Sequence, residues 1–136
     1  MIVGLGLDLV EIARVRRLLD SRGDRAMARI FTDGERAYAH YRVDPARHFA
    51  ARIAAKEAAF KALAGNDLAR GIGWRELEVF SRPDGRPLLR LHGRAERRAT
   101  ELGVTRIMVT ISHTDTTAAA VVVLEATADR GPRTEE

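Results

Sequence analysis

A chain of 136 residues is one domain's worth of protein, long enough to bury roughly two-thirds of its unfolded surface around a single core, which excludes two independent domains. Its 46% hydrophobic and 31% charged residues exclude a disordered chain of one charge sign, and the lack of a fixed-period repeat excludes a coiled-coil or solenoid reading. The absence of cysteine excludes disulfide staples and thiolate metal sites and fits a reducing compartment, so a cytoplasmic protein is expected. The net charge is +4, yet of the 23 basic residues 21 are arginine, and the two lysines, Lys56 and Lys61, stand close together. Chance clustering accounts for this as readily as a site that needs a compact ammonium rather than a planar guanidinium.

Residues 2–8 are β-branched or Gly-rich and alternate loosely, which predicts a strand ending at Asp8. No basic leader or apolar signal core precedes it, so the N-terminus is expected to be structural. Over residues 9–21, Ile12, Val15, Leu18 and Leu19 form an apolar stripe, with Arg14 and Arg17 turned away from it and Gly23 closing the helix. Thr32-Asp33-Gly34-Glu35 has the form of a capping box and predicts a helix from about Asp33 to Tyr41. Asp44 as N-cap and Pro45 at the first position open a long helix that runs to Ala64 and stops at Gly65-Asn66. Leu77–Phe80 and Pro87–Leu91 flank Pro83-Asp84-Gly85, an Asp-Gly turn between apolar runs, which reads as a β-hairpin. A short Arg-rich helix over 93–102 ends at Gly103. Arg106–Ser112 and Thr117–Leu124 make a second hairpin.

The longest apolar run, Ala118–Leu124, is too short to span a bilayer. Residues 1–125 are therefore expected to form one domain and 126–136 a polar, disordered tail. Strands joined by hairpins with helices grouped between them indicate α+β architecture, a small antiparallel sheet with a long central helix and packed helices. Gly4-x-Gly6 lacks the third glycine of a dinucleotide fingerprint and is read as strand and bend.

Three clusters could carry chemistry, each with a plain structural alternative. Asp8 is a carboxylate at a strand end that could equally cap the next helix. Glu57 and Lys61 lie roughly 40° apart on a helix and project together, but could form an ordinary exposed salt bridge. Ser112-His113 sits at the mouth of the last hairpin, where a histidine is usually solvated.

Taken together, Gly4-Leu5-Gly6-Leu7-Asp8-Leu9-Val10-Glu11-Ile12-Ala13-Arg14, Phe31-Thr32-x-x-Glu35, Arg52-Ile53-Ala54-Ala55-Lys56-Glu57-Ala58-x-x-Lys61-Ala62-Leu63 and Ile111-Ser112-His113-Thr114 resemble the holo-acyl-carrier-protein synthases, the short bacterial-type 4′-phosphopantetheinyl transferases. The resemblance covers residues 2 to about 125. Two departures are Ile53, where the family commonly has an aromatic residue, and a longer loop over Asn66–Gly73.

The resemblance implies Mg²⁺-dependent transfer of 4′-phosphopantetheine from coenzyme A to a serine of an apo acyl carrier protein, releasing 3′,5′-ADP, a step in fatty acid biosynthesis and lipid metabolism. It implies Asp8 and Glu57 as metal ligands, because Mg²⁺ takes one or two carboxylates and keeps phosphate and water in its shell. Lys61 would join them as a catalytic residue on the diphosphate. The serine proton would pass to a metal-polarised water or a nearby carboxylate. Arg52, Lys61, Ser112 and His113 would line the coenzyme A site, with Lys56 behind the metal or facing the nucleotide. Arg14, Arg17 and Arg22, with Arg25 beyond, would dock an acidic carrier protein. A homotrimer with sites between subunits is expected. The alternative, a small basic nucleic-acid-binding module, is disfavoured by scattered arginines and by an aromatic content of 5% with no stacking platform.

Overall fold

Strict alternation builds the main sheet. In the strand Thr117–Ala126 every second residue is buried through all 10 positions, which is what a sheet with one packed and one open face requires. The computed structural model describes residues 1–127, apart from the side chain of Arg22. In chain order it contains β1 (Ile2–Glu11), α1 (Ile12–Ile30), α2 (Asp33–His40), α3 (Pro45–Leu63), α4 (Asp67–Arg70), a 3₁₀ turn (Trp74–Glu76), β2 (Leu77–Ser81), β3 (Pro87–Leu91), α5 (Gly93–Glu101), β4 (Val104–His113) and β5 (Thr117–Ala126). The order β1-β5-β4 forms a three-stranded antiparallel sheet, and β2-β3 is a separate two-stranded ribbon. The α+β expectation holds, with two sheets instead of one. No helix among the described residues is long and apolar enough to cross a membrane.

Helix α3 is the core of the molecule. Ala50, Ala54, Ala55, Ala58 and Ala59 are fully buried on it, and their small side chains let the sheet approach closely. The two glycines of β1 complete that approach. A Cβ at Gly6 would lie 1.8 Å from the Ala58 carbonyl oxygen, and one at Gly4 would lie 2.3 Å from that of Ala62. Gly4-x-Gly6 is thus a seat for a helix backbone, a use of glycine that depends on its missing side chain.

Several boundaries differ from expectation. β1 does not stop at Asp8, because Leu9, Val10 and Glu11 continue the ladder against Ala119, Ala118 and Thr117. Asp8 therefore caps no helix. Gly23 breaks α1 with a left-handed φ of 54°, but helical structure resumes beyond it to Ile30, where Met27 and Phe31 enter the core. Thr32 and Glu35 form the expected capping box. Asp44 stands at the N-cap of α3 with Pro45 at its first position, as expected, but its carboxylate makes no capping hydrogen bond and pairs with Arg16 at 3.1 Å. Asn66 does not end α3; it caps α4 by accepting from the Ala69 amide at 2.9 Å. The C-terminus of α3 is closed by Arg98 of α5, which donates to the Leu63 and Ala64 carbonyls at 2.7 and 3.0 Å. Trp74 opens the 3₁₀ turn that leads into β2. Of the expected tail, Ala126 is the buried last residue of β5, and 128–136 lie outside the described residues.

Candidate functional site

The sheet register decides which side chains meet α3. Asp8 pairs with Ala120, which pairs with Ile111, and Val10 pairs with Ala118, which pairs with His113. Because side chains alternate along a strand, Asp8, Ile111 and His113 share the face that packs on α3. Ser112 points to the other face, in the row with Ala119 and Leu9.

Across from β1, Glu57 of α3 lies beside Asp8, and burial first, then the negative charge of Asp8, holds Glu57 above the usual carboxylate range. The positive charges of Arg14 and Lys61 act in the opposite direction. Lys61 donates to Asp8 Oδ1 at 2.9 Å and to the Leu7 carbonyl at 2.9 Å. Its ion pair is therefore made across to the strand, and the simple helical pair with Glu57 is not formed.

These carboxylates open into a cavity of about 590 Å³, whose lining includes Arg14, Arg17, Leu18, Ile53 and Trp74. Arg14 and Arg17 are exposed, as expected, but they stand on the rim of the same cavity as Asp8 and Glu57. The Arg22 side chain lies outside the described part of the structure, and Arg25 is exposed.

A second cavity, of about 220 Å³, brings Arg52 and His113 together with Tyr38, Arg47, His48 and Ser81. Arg52 is buried, lies 4.3 Å over the Tyr38 ring, and reaches Ser81 Oγ at 3.4 Å. Its Nε has no partner, an unmet donor in a basic pocket and so an opening for an anion. His48 is held below the ordinary histidine value by burial, then by the charges of Arg52, Arg47 and Arg42. A hydrogen bond from Ser81, together with Arg42 and Arg52, pulls the Tyr38 hydroxyl down. Ser112 does not join this group. Sequence reasoning missed Tyr38, Arg47, His48 and Ser81; only the placement of His48 one turn before Arg52 could have pointed to any of them.

Lys56 does not face a nucleotide. It is wholly buried, with Nζ 2.9 Å from Glu35 Oε1, because it lies about 100° round α3 from Glu57 and so points away from it, toward α2 and the 3₁₀ turn. No cluster of three or more metal-binding side chains occurs among the described residues, so the Asp8–Glu57 pair stands as two carboxylates alone.

Residues 4–122 match the sequence profile of the 4′-phosphopantetheinyl transferase superfamily. The chain is 52% identical over 126 residues to a holo-[acyl-carrier-protein] synthase of Alkalilimnicola ehrlichii, covering 92% of this chain and 98% of that one. Its fold is similar to the crystal structure of holo-[acyl-carrier-protein] synthase from Neisseria meningitidis, with a TM-score of 0.80 at 28% identity over 92% of this chain and 99% of that one. It is also similar to a holo-(acyl-carrier-protein) synthase from Bacillus anthracis in complex with CoA (3′,5′-ADP), with a TM-score of 0.74 at 32% identity over 93% and 99% of the two chains.

Proposed function

The chain belongs to the 4′-phosphopantetheinyl transferase superfamily, and from that membership we propose that it is a holo-acyl-carrier-protein synthase, moving 4′-phosphopantetheine from coenzyme A to a serine of an apo acyl carrier protein. The observation that carries this reading is the meeting of Asp8 and Glu57 in one cavity rimmed by arginines, with Lys61 bonded to Asp8 beside it. In the reaction the serine oxygen bonds to the phosphorus that bears pantetheine, the bond from that phosphorus to the bridging diphosphate oxygen breaks, and 3′,5′-ADP leaves with the electron pair. The serine proton passes to a water or a carboxylate at the site.

Asp8 and Glu57 suit Mg²⁺. They are two hard oxygen donors side by side, Glu57 raised by burial first and by the charge of Asp8 second, and such a pair leaves coordination positions for phosphate and water. Bound there, the ion would supply positive charge to the diphosphate, the main requirement of phosphoryl transfer. Lys61 holds Asp8 in place and presents an ammonium beside it. Arg52 and His113, with Arg47, form the basic cavity suited to a nucleotide phosphate, and Arg14 and Arg17 offer an acidic carrier a charged rim.

The outer sheet face supports a homotrimer. Leu5, Leu7 and Leu9 are 63%, 56% and 64% exposed in a row along β1, an apolar face that association between copies would cover. Ser112 shares that face, so in a trimer its contact would be with a site on a neighbouring copy. A cytoplasmic setting and a carrier of fatty acid biosynthesis fit the same activity.

The test is mass spectrometry of an apo acyl carrier protein incubated with the chain, Mg²⁺ and coenzyme A. The expected result is a gain of one phosphopantetheine, abolished by a chelator; no gain at any Mg²⁺ concentration would overturn the proposal. A nucleic-acid role finds no support. Arg16, Arg70, Arg86, Arg94 and Arg106 all pair with acidic side chains on separate elements, so they form no continuous basic stripe.

A further inference from the structure

Lys56 and Glu35 are the ion pair with no side-chain exposure on either partner. An ammonium has three N–H donors, and here each finds an acceptor: Glu35 Oε1 at 2.9 Å, the Trp74 carbonyl at 2.9 Å and the Leu77 carbonyl. Glu35 is equally engaged. Its Oε1 also accepts from the Thr32 amide at 2.9 Å, and its Oε2 accepts from the Val79 amide at 2.6 Å. One point of charge thus joins α3, the N-terminus of α2, the 3₁₀ turn and β2. A planar guanidinium could not converge on three acceptors from different elements, which explains a lysine in a chain that otherwise uses arginine.

Stability alone does not account for the arrangement. Taking both charges out of water is costly, and well-packed neutral replacements of such pairs are often as stable. Location is more informative. Glu57 is the residue after Lys56, and Trp74, whose carbonyl Lys56 holds, lines the cavity into which Asp8 and Glu57 open. On its other side α3 is seated against β1 through Gly6 and Ala58. The helix is therefore gripped from both flanks of the site.

We propose that Lys56, fixed by Glu35, is a positioning residue that locks the Trp74 wall of the cavity and the Glu57 segment of α3 into one rigid frame. The inference rests on the phosphopantetheinyl transfer proposed above. Its consequence is that loosening the pair misplaces the wall relative to the carboxylates, which costs turnover in a protein that is still folded. Misplacement by a fraction of an ångström to an ångström is enough for large losses.

The experiment compares the full-length chain with Lys56→Met, which keeps the length of the stem and removes the ammonium, and with the neutral double variant Glu35→Gln/Lys56→Met, which leaves no unpaired buried charge. Circular dichroism and thermal unfolding establish the folded state. Turnover is then measured with coenzyme A and an apo acyl carrier protein, and the emission of Trp74, the single tryptophan of the chain, is recorded without substrate. The expected result for the folded double variant is a fall of tenfold or more in kcat, a carrier KM within about twofold of the unaltered chain, and a red-shifted Trp74 emission. A double variant with unchanged kcat and unchanged emission would overturn the proposal. Should both variants fail to fold, amide exchange on the unaltered chain decides: the Val79 and Leu77 amides must exchange as slowly as Ala54–Ala59 in α3, and faster exchange there would refute a rigid frame. Absence of transfer by the unaltered chain would instead refute the activity itself, while the emission and exchange results would still judge the frame.

Discussion

Lys61 reaches across to β1, binding Asp8 and the Leu7 carbonyl at once, and leaves Glu57 to face Asp8 with its carboxyl held high by burial and by that neighbouring charge. A carboxyl raised in the folded state binds its proton more tightly there than in the unfolded chain, so its favourable contribution is present at low pH and is lost as pH rises through the folded value. Ionised Glu57 is thus a strain on the fold at neutral pH. Glu57→Gln is expected to reduce turnover by about 100-fold or more, on the scale of losing a main electrostatic group, and yet to raise the thermal midpoint at neutral pH. That gain should vanish when melting is repeated under acidic conditions. A lowered midpoint at neutral pH would contradict the assignment. Lys61→Arg tests the ammonium: a guanidinium can still pair with Asp8, so folding is expected to be retained while kcat falls by about tenfold or more. Unchanged kcat would return Lys61 to a mere partner of Asp8.

At the scale of elements, the site exists because β1 and α3 touch backbone to backbone. Gly6→Ala is expected to cost at least about 1–3 kcal/mol, the usual range for overpacking, since its methyl would overlap the Ala58 carbonyl. Chemical denaturation would measure this, and a cost near zero would mean that the contact is looser than described. The capping box at Thr32, the ribbon turn at Asp84-Gly85 and the strand nature of the β-branched run in β5 were legible in the sequence because each depends on residues a few positions apart. The resumption of α1 after Gly23 was not legible. There the left-handed glycine was read as a stop, but Met27 and Phe31 are pulled into the core and their burial carries the helix onward. Asn66 was misassigned, since it caps a short helix that composition alone did not mark, whereas Asp44 stands at the expected N-cap position with its carboxylate drawn to Arg16.

For the whole molecule, the apolar sheet face and the arginine rim lead to separable expectations. Leu7→Asp places a charge in the middle of the exposed leucine row and should convert trimers to monomers in light scattering, leaving the far-ultraviolet spectrum intact. A chain that is already monomeric would defeat the trimer proposal. Arg14 is exposed and on the cavity rim, so Arg14→Glu should cost little stability and raise the apparent KM for an acidic carrier about tenfold, with the KM for coenzyme A nearly unchanged. Added salt should weaken carrier use by the unaltered chain in the same direction, since exposed charges are screened over about 8–10 Å. A change confined to the coenzyme A constant would assign Arg14 to the nucleotide instead.

The sequence by itself determined most of the elements and the α+β class, because helix periodicity, strand alternation, capping and turn chemistry act between near neighbours, and its resemblance to a family brought Asp8, Glu57, Lys61, Arg52 and His113 into consideration. Only the tertiary structure decided what each side chain faces. It placed His113, and with it Asp8, on the sheet face against α3 and left Ser112 on the open face, and it gave Lys61 to Asp8. It also enclosed Lys56 with Glu35 and made Gly4-x-Gly6 a helix seat. Those outcomes depend on which backbones approach closely across long stretches of chain. That approach is set by the size of Ala58 and Ala62 against Gly6 and Gly4, a packing relation that no local pattern encodes.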